Sequence, residues 1–240
     1  MTDGTQRERL EAGRSPVARD AVQAYYRDLW ELKKVPASLR HEGRGPTRTD
    51  IAGRLLRPGV RLLDVGCWGG EGLERMGAAS LFRELYGVDL LESSIQAARA
   101  KGIRAERVDL NHEPLPFPDA FFDAATCLAV LAQVFDPDAA IHELTRVLRV
   151  GGQLLLSVAN IAALPHRLAL VFGRLPVTSR DPGWDGAQLH YFTGAATRRL
   201  LERHGLAIRG VFASGRWLPL RQLVPTLLSR ELIFDAVRPA

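Results

Sequence analysis

The chain has 240 residues, 46% of them hydrophobic, which is enough to bury the core of one large domain. Its two cysteines, Cys67 and Cys127, have neither the number nor the spacing of a disulfide framework or a zinc site. No apolar run approaches the roughly 18 residues of a membrane span, and residues 1–16 lack the apolar core of a signal peptide. We therefore expect a cytoplasmic protein without a metal and without a membrane partner.

The net charge is +5, and nearly all of the positive charge comes from arginine, since lysine occurs only at positions 33, 34 and 101. These charges are spread along the chain, and no stretch interleaves basic and aromatic residues as RNA-binding strands do. The pattern indicates a solvated surface, so we do not expect nucleic acid as a partner. Homo-oligomerisation is left open.

Residues 1–14 are polar and without periodicity, which predicts a disordered lead. We expect a single domain over residues 15–240 that begins with a helical cap at 15–57. Tyr25 and Tyr26 lie in the first predicted helix of this cap, which is placed to close over a ligand and makes them candidate lining residues. The alternative is that both rings only pack in the core or on the surface.

The stretch RLLDVGCWGGEG, residues 61–72, joins a buried strand to a helix. Asp64 stands near the end of the strand, and four glycines follow within seven residues, so the backbone can turn sharply without a Cβ in the way. At the carboxyl end of a parallel strand such a turn lets backbone N–H groups and a helix N-terminus face a ligand. The alternative is a tight connection that binds nothing.

Strands and helices then alternate along the chain. Ser93 to Gln96 has the spacing of a capping box, and Asp136 followed by Pro137 predicts another helix start. The pattern predicts one doubly wound α/β domain with a seven-stranded, mostly parallel sheet. Its strands are expected at residues 61–65, 84–90, 103–110, 122–128, 153–159, 206–213 and 232–238.

The alternation loosens over residues 161–192. An apolar segment with helical spacing is followed by a long loop, residues 174–190, which is rich in proline and glycine. Loops of this length within a compact domain are usually functional or disordered. We interpret residues 161–192 as an insertion that contacts the substrate.

Three aspartates, Asp64, Asp89 and Asp109, stand at the ends of three successive predicted strands. A carboxylate about 20 residues past a glycine turn is placed to accept hydrogen bonds from both hydroxyls of a ribose, and Asp89 follows Gly70 by 19 residues. Asp109 with Leu110 would hold an adenine edge. Each aspartate by itself is equally well explained as a turn residue or a helix cap.

Several motifs together resemble the class I S-adenosylmethionine-dependent methyltransferases over most of residues 60–213. They are LLDVGCWGG, YGVDL, RVDLNHEPLPFPDAFFD and ELTRVLRVGGQLLLSVAN. The chain departs from that family's pattern at Trp68, which replaces a glycine, and at Ala132 and Gln133, which replace a Glu-His pair. Within the family it is similar to the small-molecule (type 11) group, and to the methionine-biosynthesis W-type branch.

The resemblance implies S-adenosylmethionine as cofactor, an antiparallel last strand, and methyl transfer to O or N of a small-molecule acceptor, in a setting such as secondary metabolism. His190 is the candidate base because a neutral imidazole can accept a proton, and Gln133 is the candidate for orienting the acceptor. Both are also explained as structural residues, His190 bonding to backbone and Gln133 acting as a cap. The substrate-lining candidates are His166, Trp184 and Tyr191. The cofactor-binding candidates are Asp64, Gly66, Cys67, Trp68, Gly70, Asp89, Leu90, Asp109, Leu110 and Leu128.

Two other functions are consistent with the sequence. Likeness to the W-type branch allows a methyltransferase-like binding protein that partners an acyltransferase in methionine biosynthesis, and Trp68 in the glycine turn supports that reading. A nicotinamide-dependent enzyme would also use Asp89, but residues 66–72 do not follow G-x-G-x-x-G, and Asp109 and Leu110 would then have no role.

Overall fold

The structure, a computed structural model, describes residues 45–176, 178 and 188–240. The predicted lead at 1–14, the first helix with Tyr25 and Tyr26, and Trp184 all lie outside the described residues. The domain boundaries proposed for residues 1–44 therefore stay predictions.

The described chain alternates between helices and strands, and it carries the seven strands that the sequence predicts. Helix α1 (Arg48–Leu55) precedes β1 (Gly59–Val65), and two short helices, α2 (Glu71–Arg75) and α3 (Ala78–Leu81), lead to β2 (Phe82–Asp89). The next elements are α4 (Glu92–Ala100), β3 (Arg104–Arg107), β4 (Phe122–Leu128), a 3₁₀ turn (Leu131–Gln133), α5 (Pro137–Val147) and β5 (Leu148–Ala159). The last are α6 (Leu164–Val171), α7 (Gly194–Arg203), β6 (Ala207–Ala213), α8 (Leu218–Leu223), α9 (Pro225–Leu228) and β7 (Glu231–Val237).

The strands form one sheet in the order β3-β2-β1-β4-β5-β7-β6. Strands β1 to β5 pair in parallel, whereas β7 lies antiparallel between β5 and β6. The expected mostly parallel sheet with an antiparallel last strand is confirmed. The strand order reverses between β1 and β4, and in such sheets ligands bind at the carboxyl ends of the strands beside this point.

Side chains along each strand point alternately to the two faces of the sheet. Both faces carry apolar side chains, and helices cover both of them. Leu63 and Leu154 pack with Ile141 and Leu144 of α5 on one face. Leu62 packs with residues of α1, α2 and α4 on the other. Since both faces are apolar, the central strands are almost continuously hydrophobic.

Several element boundaries differ from the sequence expectation; β5, for example, begins at Leu148 and not at Gln153. Two of the differences have a clear local cause. Helix α4 begins at Glu92 without a side-chain cap from Ser93, because the Asp89 carboxylate accepts the Leu91 N–H and starts the helix earlier. Strand β3 ends at Arg107 instead of Leu110, since Asp109 begins a turn by accepting the Asn111 N–H.

Candidate functional site

Asp64 is a buried carboxylate at the end of β1. The Thr126 hydroxyl donates to its Oδ1 at 2.5 Å from the neighbouring strand β4. Burial, together with the nearby charge of Asp89, raises the pKa of Asp64 to about 7, against the lowering effect of the Thr126 hydrogen bond. No positively charged group among the described residues offsets this shift. A cation brought to this carboxylate would therefore be strongly favoured.

The turn after Asp64 requires glycine at two positions. The N–H groups of Gly66 and Cys67 both donate to the Val88 carbonyl, which ties the turn to β2. Gly66 has φ 73°, and a Cβ there would lie 2.3 Å from a Val130 methyl; Gly70 has φ 84°, and a Cβ there would lie 2.3 Å from the Ile103 Cδ1. Among the described residues, the atoms that exclude a Cβ at these two positions belong to Val130 and Ile103. The glycines are therefore explained by packing within the protein.

Trp68 occupies the turn in a left-handed backbone conformation, with φ 51°. Its N–H donates to Asp89 Oδ2 at 2.9 Å, while Asp89 Oδ1 accepts from Leu91 at 3.0 Å. Burial raises the pKa of Asp89, and the backbone N–H groups around it oppose that shift. Asp89 thus holds the glycine turn and the start of α4 together at the end of β2.

Asp109 is buried two residues past β3, at the centre of a small polar network. Its Oδ1 accepts the Asn111 N–H at 3.0 Å, and the His112 Nδ1–H donates to its Oδ2 at 2.9 Å. The Leu110 N–H, in contrast, makes no hydrogen bond to any of the described residues. This stretch therefore presents an unused backbone donor directly beside a fixed carboxylate.

The segment after β4 connects the polar network around Asp109 to His190, the predicted base. The Asn111 side chain accepts the Phe135 N–H at 2.6 Å, and His190 Nε2 lies 3.2 Å from the Phe135 carbonyl. A carbonyl only accepts, so Nε2 carries the proton and Nδ1 holds the lone pair. The Ala132 carbonyl also accepts the N–H groups of Leu189 and His190. His190 is thus brought to the same edge of the sheet as the three aspartates.

The remaining predicted residues lie around this edge. Gln133 closes the 3₁₀ turn, and Leu90 and Leu128 are half-buried beside Asp89 and Ala129. Cys67 is buried, which raises the pKa of its thiol. His166 is buried at the start of α6 with its Nδ1 3.0 Å from the Asn160 carbonyl, and Tyr191 is exposed.

Two side chains contact the aspartates without having been predicted from the sequence, Thr126 and His112. Thr126 lies opposite Asp64 only through the pairing of β1 with β4, which a single sequence does not reveal. His112 follows Asp109 by three residues, and this Asp-x-Asn-His spacing is typical of a turn in which the aspartate accepts local hydrogen bonds.

The described residues contain neither a membrane-spanning helix nor a cluster of metal ligands. Between residues 45 and 240, leaving aside the gaps at 177 and 179–187, no helix combines the length and hydrophobicity that crossing a bilayer demands. Within the same ranges, no three His, Cys, Asp or Glu side chains stand close enough to hold a metal ion.

Known proteins resemble this chain in sequence and in fold. Residues 63–156 match the model of a family described as "Methyltransferase domain". The ubiquinone biosynthesis O-methyltransferase of Xanthomonas oryzae pv. oryzae is 35% identical over 135 residues, which cover 52% of this chain and 54% of the relative. The chain thus matches about half the length of this relative.

Solved structures extend the likeness to most of the fold. A SAM-dependent methyltransferase from Aquifex aeolicus superposes with a TM-score of 0.59 at 17% identity, covering 88% of this chain and 97% of that one. The [4+2]-cyclase SpnF superposes with a TM-score of 0.55 at 22% identity, covering 80% of each chain. At these identities the superpositions establish the fold alone.

The matched residues include the strands and turns that carry Asp64, Asp89 and Asp109, and the superposition extends over the sheet around them. Residues 63–156 are therefore similar to a methyltransferase domain, and the fold around them is the one that the superposed structures share.

Proposed function

We propose that this protein transfers the methyl group of S-adenosylmethionine to an oxygen or nitrogen of a small-molecule acceptor. The observation that carries the proposal is the row of three carboxylates, Asp64, Asp89 and Asp109, which lie at or just past the carboxyl ends of three adjacent parallel strands. They stand beside a turn that is held in left-handed conformations by Gly66 and Gly70. Carboxylates placed in this way suit the three polar parts of the cofactor.

Each part of the cofactor has a candidate partner. The buried carboxylate of Asp64 suits the methionine ammonium group. A cation beside it would offset the burial and the Asp89 charge that raise its pKa. Asp89 would accept hydrogen bonds from the ribose hydroxyls. Asp109 would accept from the adenine amine, and the unused Leu110 N–H would donate to a ring nitrogen. The donors and acceptors present therefore fit the cofactor.

The bound cofactor supplies an activated methyl group, and the chain's own residues position the acceptor. His190 would take a proton from an acceptor hydroxyl at Nδ1, since its Nε2–H is held by the Phe135 carbonyl. Gln133, in the turn that also binds the His190 backbone, would orient the acceptor by a hydrogen bond. Alignment of this kind accelerates a transfer by making it effectively unimolecular.

Oxygen is the preferred acceptor atom. This choice rests on the relatives, which are named O-methyltransferases of ubiquinone biosynthesis. The assignment of a base to His190 agrees with it, because a hydroxyl must lose a proton when it is methylated.

The proposal is tested by calorimetric titration of S-adenosylhomocysteine, the product form of the cofactor, into the full chain. We expect saturable binding that Asp89→Ala weakens by at least tenfold, because a charge-assisted hydrogen bond contributes roughly 1.5–3 kcal/mol. Glu106→Ala, which removes a more exposed carboxylate from β3, is the matched control. Absence of binding by the wild type would refute the proposal and favour a docking role beside an acyltransferase.

A further inference from the structure

Helix α6 turns its leucines outward. The buried residue of this helix is His166, whereas Leu164, Leu168 and Val171 follow one another at i, i+4 and i+7 and are 41%, 50% and 78% exposed. Phe172, directly after the helix, is 75% exposed. A helix that packs on a core shows the opposite pattern, with its apolar stripe inward. This stripe is therefore left uncovered by the part of the chain that the structure describes.

A second apolar segment lies at the same end of β5. Trp217, Leu220 and Leu223, in and beside α8, are 57–76% exposed. The Asn160 side chain, which precedes α6, donates to the carbonyls of Thr226 and Ser229 after α8. We call residues 161–176 and 215–230 together the apolar face. It holds ten of the fifteen exposed large hydrophobic side chains found in the described residues, so the exposure is concentrated.

The charges of the apolar face have one sign. Its two segments contain five arginines and not a single aspartate or glutamate. Burial and the neighbouring charge of Arg230 lower the pKa of Arg221. Glu231, the acid directly after this face, forms an ion pair with Arg48, which lies outside the two segments. Such a face repels a second copy of itself, because a symmetric dimer would bring the same arginines against one another. Its charge complements a negatively charged partner.

We propose that the apolar face binds the surface of a membrane that contains anionic lipids. Helices that lie in the membrane interface bury an apolar stripe at the level of the acyl chains and place basic side chains beside lipid phosphates. Tryptophan at the rim, here Trp217, is typical of that depth. The absence of an apolar run long enough to span a bilayer led us to expect no membrane partner, but binding to a membrane surface requires no such run. The proposal does not depend on methyl transfer.

The test is co-sedimentation of the full chain with vesicles of phosphatidylcholine alone and with vesicles that also contain phosphatidylglycerol. We expect binding to the anionic vesicles that is at least tenfold tighter than to the neutral ones and that weakens as salt is added, because anionic headgroups attract the arginines and salt screens that attraction. No sedimentation with either vesicle, or equal sedimentation with both, would overturn the proposal.

Matched variants locate the binding surface. Val171→Asp combined with Phe172→Asp places two charges on the apolar face and is expected to weaken vesicle binding at least tenfold. Val150→Asp changes a side chain that is 51% exposed at the opposite end of β5, and it should bind as the wild type does. All three substitutions are at exposed sites, so melting temperatures should be unchanged.

Two further outcomes decide against a lipid surface. If the double variant and Val150→Asp bind vesicles equally, the apolar face is not the contact. If light scattering shows a dimer that the double variant dissociates while neither vesicle is bound, the face joins two copies of the chain. Trp217 gives an independent readout, because the fluorescence shift on vesicle binding should shrink in Trp217→Phe.

Discussion

Asp64 makes stability depend on pH in a direction opposite to that of most aspartates. Its pKa of about 7 lies above the roughly 3.9 of an unfolded aspartate, so between these values the folded state holds a proton that the unfolded state has lost. Stability therefore falls as pH rises from about 4 through about 7. We expect Asp64→Asn to be more stable than the wild type at pH 8, by at most about 4 kcal/mol. At pH 4 the two should be nearly equal, because both side chains are then neutral.

Urea unfolding at pH 4 and pH 8 measures this difference. Thr126→Val is the control, because it removes the hydroxyl that donates to Asp64 without removing the titrating group. An advantage of Asp64→Asn that is the same at both pH values would show that Asp64 is ionised throughout.

Ligand binding should also release the proton that Asp64 holds in the folded protein. If the ammonium of S-adenosylhomocysteine lies beside Asp64, it lowers the pKa of that carboxyl, and binding at pH 6.5 releases a fraction of a proton. Calorimetry in two buffers with different ionisation enthalpies measures the release directly. Asp64→Asn should abolish it, and unchanged proton release in that variant would place the ammonium elsewhere.

Two glycines with left-handed backbone conformations can be compared, one in the glycine turn and one after α2. Gly66 and Gly77 have φ of 73° and 67°, but a Cβ at Gly66 would clash with Val130 whereas one at Gly77 would meet nothing within 4 Å. Gly77→Ala should therefore cost about 1–2 kcal/mol from the backbone alone. Gly66→Ala should cost at least about 1 kcal/mol more and weaken S-adenosylhomocysteine binding. Val130→Ala should recover part of the loss in Gly66→Ala, and a lack of recovery would contradict the clash.

At the scale of elements, Asp50 joins α1 to α2. Its carboxylate accepts from the Thr47 backbone and hydroxyl at the start of α1 and from Nε and a terminal nitrogen of Arg75 in α2. The Arg75 hydrogen bond holds the pKa of Asp50 well below its usual range. The stability that Asp50 contributes is therefore present above about pH 4 and is lost as pH falls.

We expect Asp50→Ala to destabilise the fold by about 2–3 kcal/mol at pH 7, since it removes both a cap and a bidentate charged contact. Thr47→Ala removes the reciprocal cap alone and should cost about 1 kcal/mol. Denaturant unfolding at pH 7 and pH 3 measures both. Equal losses for the two variants would mean that the Arg75 contact contributes nothing.

Most element positions follow from local signals. Strand β4 has the predicted bounds, and Asp136 caps α5 by accepting the N–H groups of Asp138 and Ala139, as its place before Pro137 predicts. The predicted start of α4 was wrong because the helix begins at Glu92 without a side-chain cap, directly after Leu91, whose N–H donates to Asp89. Local spacing identifies which residues can cap a helix, but the contacts at the end of the preceding strand decide where this one starts.

The candidate site, like the elements, could be predicted only where the signal is local. The three aspartates follow from strand ends and spacing, which a sequence displays. The contacts of Thr126 with Asp64 and of Asn111 with Phe135 depend on strand pairing and on loops that meet across 62 and 24 residues. Such contacts have no local signature, so they required the structure.

At the scale of the whole molecule, the strand order places all of these groups beside the switch between β1 and β4. Loops after β1, β2, β3 and β4 therefore meet at one edge of the sheet. The Trp68 N–H, after β1, donates to Asp89 at the end of β2, and the Phe135 N–H, after β4, donates to Asn111 after β3. The His190 Nε2–H donates to the Phe135 carbonyl. Binding at this edge should stabilise the folded domain as a unit, because these loops take their contacts from different strands.

A thermal shift measurement tests which nucleotide the domain accepts. At a concentration of S-adenosylhomocysteine about 100 times its dissociation constant, binding adds roughly 2.7 kcal/mol, which raises the melting temperature of a domain of this size by about 5–10 °C. NAD should produce no shift, because residues 66–72 lack the G-x-G-x-x-G spacing that receives a pyrophosphate at a helix N-terminus. Asp109→Ala should reduce the shift with S-adenosylhomocysteine, since it removes the expected adenine acceptor, while Asp119→Ala in an exposed loop should not. A shift with NAD that Asp89→Ala abolishes and Asp109→Ala leaves intact would instead identify a dinucleotide site.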